Sequence, residues 1–332
     1  MDIDYLQKGT YNEGRILRNK ECLKMEKLAH FFIDDVIFVM RDLAKERPAS
    51  LFDNAFMAML KKAHDEYGLT VQLNLFYRMD FFYGSEDFTL ADMPDCYKAE
   101  FEAASDWLRL AFHAKQEFPD YPYVNATYED VKNDYEQLTG EVKRFAGEKS
   151  LSNAFCPHWL PISKAGCQAL ADCGVRIICP TYGDRTPYTG DDSVLPYGHA
   201  ARLLQNRQPE TMLFTRGGAN KAISASVSAY NHIEQADVDR MRYKNVSLLD
   251  KETGLRFRSL SGGPCLNLHT EQQVRDGLAK LIGNEFVGCA VHEQYFYEHY
   301  YNYQPDYADK LFAMSEVLHN AGYRFVTTDE LN

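Results

Sequence analysis

Two rhythms of apolar residues take turns along the chain: short continuous runs that suit buried strands, and stretches spaced three and four apart that suit helices. His30 to Phe38 (HFFIDDVIF) predicts a first strand with two carboxylates set into it. A helix follows from about Asp53, with Phe56, Met59, Leu60, Ala63 and Tyr67 on one face and Gly68 as its stop. Thr70 to Tyr77 predicts a second strand, Pro94 to about Asp106 a helix, and Leu108 to His113 a third strand. Thr127 caps a long helix carrying Tyr128, Val131, Tyr135, Leu138, Val142 and Phe145, closed by Gly147. Ser152 to Pro157 is a weaker fourth strand, Ser163 caps a short helix ending at Gly174, and Val175 to Cys179 is a fifth strand. Thr270 and Gln273 form a capping box for a helix to Leu281. Phe286 to His292 is a buried strand, a helix follows Pro305, and Tyr323 to Thr327 closes the series.

Strand followed by helix, repeated to about seven strands, predicts an α/β fold with a parallel sheet. The reading favoured is a (β/α) barrel, incomplete at seven strands, as one domain over residues 1–332. A doubly wound open sheet is the alternative. No glycine-rich loop follows the first strand, which argues against a nucleotide-binding version. Between Thr181 and Leu268 the rhythm gives way to Gly, Ser and short alternating runs, Ala222 to Tyr230 and Leu255 to Leu260 among them. Residues 181–268 therefore read as an insertion of loops and β-hairpins.

Composition narrows the function. Of 332 residues 45% are hydrophobic and 25% charged, as in a globular protein. The net charge of −12 repels phosphate backbones, so nucleic acid is not an expected partner. No apolar core stands behind a basic start at the N-terminus, and no apolar run approaches the roughly 20 residues of a membrane helix. The expectation is a cytoplasmic protein with no membrane partner. Eight cysteines without a C-x-x-C pair fit reduced buried thiols better than a zinc knuckle. Tyr (22) and Phe (20) are abundant enough to line a ligand cleft.

The chemistry gathers at strand ends, where a βα barrel keeps its reactive groups. The first strand carries Asp34-Asp35, the third ends in His113, the fourth in His158 and the penultimate one in His292-Glu293. Adjacent carboxylates suit a division of labour in which one binds a metal and the other acts as base on a water. Extended backbone sends them to opposite faces, so one of them must turn with the loop. Glu117 lies four residues after His113, and a helical turn there puts both on one ion. Pro157-His158-Trp159 suits a sugar subsite, with the indole as stacking face. Tyr295 to Tyr307 (YFYEHYYNYQPDY) supplies a second aromatic wall behind His292. Trp107 reads as core.

These segments resemble the polysaccharide deacetylase (NodB homology) family of βα barrels. Phe32 to Val36 (FIDDV) is similar to that family's T-F-D-D-G, Phe112 to Glu117 (FHAKQE) to its H-S-x-x-H, and Ala290 to Phe296 with Gly322 to Leu331 to its late His motif and closing strand. The resemblance implies Asp34 as base, Asp35 and His113 as ligands of a divalent metal, and His292 as acid. Three departures stand out: Val36 replaces the Gly after the Asp pair, Glu117 the second metal His, and Pro157-His158-Trp159 the Arg-containing motif. The third ligand is then either Glu117 or His158. Asp-His-Glu can still hold Zn²⁺ but carries one more negative charge than Asp-His-His, which makes the metal a weaker Lewis acid or favours Mn²⁺ or another harder ion. The ion expected is Zn, or Mn, Co or Ni.

The leading expectation is a metal-dependent hydrolase removing an acyl group from a small carbohydrate, with His158, Trp159, Glu293 and Tyr295 at the substrate and Asn153 or His158 near the oxyanion. Two rivals remain: a metal-free glycoside hydrolase using Asp35 and Glu293, and a carbohydrate-binding barrel without catalysis.

Overall fold

The first strand, β1 (Lys27–Val36), is buried along nearly its whole length. Burial on both faces needs partners on both faces. In the computed structural model, which describes residues 26–79, 88–118, 122–123, 126–159, 162–179, 240–241, 243–258 and 262–331, alternate β1 residues meet different layers. Ala29, Phe31 and Ile33 join a large apolar cluster with the helices. Leu28 and Phe32 join a smaller one with Ala154, Cys156, Ile177, Cys179, Phe286 and Val326. The two faces of β1 therefore pack into two separate apolar layers.

β2 (Val71–Phe76) and β8 (Phe286–His292) flank β1 in parallel, β3 (Leu108–Ala114) lies outside β2, and the short β9 (Tyr323–Phe325) pairs with the start of β1. A second sheet holds β4 (Ala154–Phe155), β5 (Ile177–Ile178) and β7 (Arg256–Phe257) in parallel, with β6 (Leu248–Leu249) antiparallel to β7. A Leu110–Leu151 bridge and the 2.7 Å bond from the Ser152 amide to the Leu110 carbonyl carry the pairing from β3 toward β4. The fold is α/β with a largely parallel sheet. The described residues hold nine strands where the sequence predicts seven. The two additional ones, β6 and β7, are two residues each; β7 falls within the alternating run Leu255 to Leu260 and β6 in no run that the patterning marks. Because β7 pairs with β5, that part of the expected insertion is a strand of the sheet. The hairpin expected at Ala222 to Tyr230 lies outside the described residues.

The helices are α1 (Phe38–Glu46), α2 (Ala55–Tyr67), α3 (Lys98–Ala103), α4 (Tyr128–Phe145), α5 (Lys164–Asp172), α6 (Glu271–Ala279) and α7 (Tyr307–Asn320). Local caps set most of them. Asn54 accepts from the amides of Phe56 and Met57 at the start of α2, and Gly68, at φ 70°, closes it. Thr127 and Asp130, like Thr270 and Gln273, form reciprocal capping boxes. α1 is the exception. Sequence patterning extends the first strand through Phe38, whereas the chain turns helical there after Ile37 alone. Ile37 makes no side-chain cap and the first turn holds no acidic residue, so nothing local marks this start.

Candidate metal centre

The strand ends bring the expected groups together through one backbone irregularity. The β1–β2 register shifts between Ile33 and Val36, and Asp35 stands in the left-handed region at φ 61°. Asp tolerates that region better than most residues, and a bulge of this kind re-aims side chains. Alternation is broken, and both carboxylates reach His113: Asp34 Oδ1 lies 3.8 Å from its Nδ1 and Asp35 Oδ1 3.2 Å from its Nε2.

Three donor atoms form a nearly equilateral triangle. Asp35 Oδ1 to His113 Nε2, Asp35 Oδ1 to His158 Nδ1, and His158 Nδ1 to His113 Nε2 are each 3.2 Å. All three residues are buried. Ligands about 2.0–2.1 Å from a common ion at tetrahedral angles stand about 3.3 Å apart, so the spacing suits a divalent cation. The donor chemistry agrees. His113 Nδ1 bonds the Cys156 carbonyl at 2.6 Å and His158 Nε2 the Glu117 carbonyl at 3.0 Å. A carbonyl only accepts, so each ring spends its N–H there and turns a lone pair toward Asp35. Two imidazole lone pairs and a carboxylate oxygen facing one another repel unless a cation or proton lies between them. The residues fit a metal ion such as Zn²⁺.

The alternatives for the third ligand separate here. His158 completes the triangle. The Glu117 carboxylate is buried, but its oxygen lies 3.8 Å from His158 Nε2, the ring nitrogen remote from the triangle.

Three carboxamides hold Asp34, Asp35 and His292, and the sequence reading named none of them. Asn74 donates to Asp34 Oδ1 at 2.6 Å, and Gln72 donates to Asn74 at 2.7 Å. Gln72 in turn accepts from Ser152 and Thr328 at 2.9 and 3.1 Å. Gln294 donates to Asp35 Oδ2 at 2.9 Å, which leaves Oδ1 for the histidines. Asn267 Oδ1 accepts from the His292 amide at 3.2 Å and stands 3.0 Å from His292 Nδ1. An oxygen that takes both fixes the Nδ1–H tautomer. The signal was present in β2, where Gln72 and Asn74 share one face of an otherwise apolar strand: a buried amide needs partners.

His292 sits opposite Asp34 in the β1–β8 register and is half-buried. Glu293, expected at the substrate, is turned away from it. Its Oε2 accepts from the Ile37 and Phe38 amides at 2.6 and 2.8 Å, and its Oε1 from Val39 at 2.7 Å. It is therefore the missing cap of α1, and the glycosidase pairing of Asp35 with Glu293 lacks its second carboxylate. The Trp159 ring stands edge-on to His158 at 5.9 Å, on a backbone at φ 61°. The Tyr295 ring is buried, edge-on to His292 at 6.4 Å and to Tyr300 at 5.2 Å. Asn153 gives its carbonyl to the Arg176 amide at 2.8 Å, at the entrance to β5.

Burial raises the Asp34 pKa against the pull of His113; the Asp35 charge adds to the rise and Asn74 opposes it. Burial works to lower the His113 pKa, but the Asp34 and Asp35 charges outweigh it and the net shift is upward. Burial pushes Glu293 up to about 7 against its three amide donors.

No known protein family matches the chain, and a search of curated proteins finds no relative. Among solved structures it is similar to the Xyl-CE4 domain of a multidomain xylanase from the hindgut metagenome of Trinervitermes trinervoides, at 13% identity over 92% of this chain and 89% of that one, TM-score 0.43. It is also similar to a structure described as a T48 deacetylase with substrate, at 12% identity with the same coverages, TM-score 0.38.

Proposed function

We propose that the chain is a metal-dependent hydrolase that removes an acyl group from a small carbohydrate. One observation carries the reading: the buried 3.2 Å triangle of Asp35 Oδ1, His113 Nε2 and His158 Nδ1, flanked by a base candidate on β1 and an acid candidate on β8. A divalent ion held there supplies Lewis acidity to a water and to an acyl oxygen. Asp34 takes the proton from the water. With Asn74 on Oδ1, Oδ2 is the oxygen that receives it, and the raised pKa makes it a better base than a solvated carboxylate. His292 protonates the leaving oxygen or nitrogen through Nε2, because Asn267 holds Nδ1. Trp159 supplies a face for a sugar ring, whereas Tyr295, expected at the substrate, is fully buried and packs against His292 and Tyr300 instead. His158 serves as the third ligand in this scheme, and Glu117 only positions it through a backbone carbonyl.

The test is acetate release from acetylated mono- and oligosaccharides with added Zn²⁺, Mn²⁺, Co²⁺ or Ni²⁺. Asp34→Asn should lose about 10²-fold or more of the activity, the span general-base catalysis contributes. No release from any acetylated sugar with any of the four ions would overturn the reading.

A further inference from the structure

Asp35 serves the triangle with its backbone in the left-handed region, at φ 61°, where a non-glycine residue is strained and persists only when its surroundings hold it. Nothing local supplies that constraint. β1 ends at Val36, α1 begins at Phe38, and Ile37 between them offers no cap. The constraint comes from 256 residues away, from the two positions that follow His292. The Glu293 carboxylate, fully buried, takes the amides of Ile37, Phe38 and Val39 at 2.6–2.8 Å. The Tyr297 hydroxyl, at 3.3 Å from Oε1, steadies it further. Three amide bonds to one carboxyl group are directional, and they fix where the chain goes two residues after Asp35. The next side chain, Gln294, holds Asp35 Oδ2 at 2.9 Å. One grips the turn from behind and the other grips the carboxylate itself.

We propose that Glu293 and Gln294 are positioning residues that together hold the Asp35 turn, so that its carboxylate meets His113 and His158, with His292 on the same segment kept in register. The inference rests on reading the triangle as a metal centre. It gives Glu293 a role in the hydrolase without contact to substrate, and it makes β8 the strand through which acid and metal ligand are aligned.

The experiment measures the Zn²⁺ dissociation constant by chelator competition, alongside urea unfolding, for the full chain and four variants. Glu293→Ala and Gln294→Leu should each weaken Zn²⁺ binding about 10–100-fold, the usual cost of losing a group that orients a ligand. Glu293→Gln keeps one accepting oxygen and should recover part of that loss. Asn54→Ala removes the α2 cap, which bonds the Phe56 and Met57 amides and no residue of the triangle. It should lower stability and leave Zn²⁺ affinity unchanged. Gln294→Leu leaves the α1 cap in place, so the test survives if Glu293→Ala fails to fold. Wild-type protein that binds Zn²⁺ while Gln294→Leu, and Glu293→Ala where it folds, bind it within twofold would overturn the positioning role alone. Wild-type protein that binds none would overturn the metal centre and this inference with it.

Discussion

Asn74→Leu tests the buried polar chain under the site. Leucine shares asparagine's branched heavy-atom shape, so the change removes hydrogen bonds without opening a cavity. Asn74 is fully buried, donates to Asp34 Oδ1 at 2.6 Å and accepts from Gln72 at 2.7 Å. A hydrogen bond to a charged group contributes about 1.5–3 kcal/mol net, and a buried donor left without its acceptor costs about 1–3 kcal/mol. The loss should be about 3–5 kcal/mol, a large share of the roughly 5–15 kcal/mol that holds a domain together. Urea unfolding at pH 7, followed by tyrosine and tryptophan fluorescence, measures it, with the slope unchanged because the surface exposed on unfolding is the same. Asp34→Asn removes the charge, so Asn74→Leu should cost at least about 1 kcal/mol less in that background. A single-variant loss under about 0.5 kcal/mol, additive with Asp34→Asn, would refute the chain of bonds from Asp34 through Asn74 to Gln72.

Two further outcomes follow from the same geometry. The Glu293 pKa rises on folding from 4.5 to about 7, so the folded protein holds a proton that the unfolded chain has lost. Stability from this group is present below about pH 4.5 and falls as pH rises to about 7, by about 3 kcal/mol in all. Glu293→Gln should remove that slope, and identical pH–stability curves for the two proteins between pH 4.5 and 7 would count against it. Gly263 lies against β8, where an added Cβ would stand 2.8 Å from the Gly288 carbonyl oxygen and 2.6 Å from Cys289 Sγ. Gly263→Ala should destabilise by about 1–3 kcal/mol, read by thermal unfolding, and a neutral effect would mean the approach is looser than described.

Much of this arrangement is legible in the sequence, and the illegible parts share one physical cause. Asp34, Asp35, His113, His158 and His292 stand out because charge or imidazole at the end of an apolar run is rarely needed for packing. The helices α2, α4 and α6 announce themselves because their caps are local, in Asn54, Thr127 and Thr270. α1 does not, because its cap, Glu293, arrives from the other end of the chain. Nothing in one-dimensional spacing separated Glu117 from His158 as third donor. In three dimensions His158 Nδ1 stands 3.2 Å from both Asp35 Oδ1 and His113 Nε2, while the Glu117 carboxylate lies 3.8 Å from His158 Nε2, which is why the proposed site takes His158. The left-handed turn at Asp35 was foreshadowed only by the need to bring two adjacent carboxylates to one side. Asn74, Asn267 and Gln294 escaped notice because amides do not titrate and are read as surface residues until their burial is known.

The central claim is a divalent ion held by Asp35, His113 and His158, and elemental analysis of purified protein tests it most directly. After incubation with Zn²⁺ and desalting, wild type and Glu117→Gln should each retain about one equivalent, as a single three-residue site allows. Asp35→Ala, His113→Ala and His158→Ala should each lose it while keeping native far-ultraviolet dichroism. A wild type that retains no metal, or a His158→Ala variant that keeps its ion while Glu117→Gln loses it, would contradict the account.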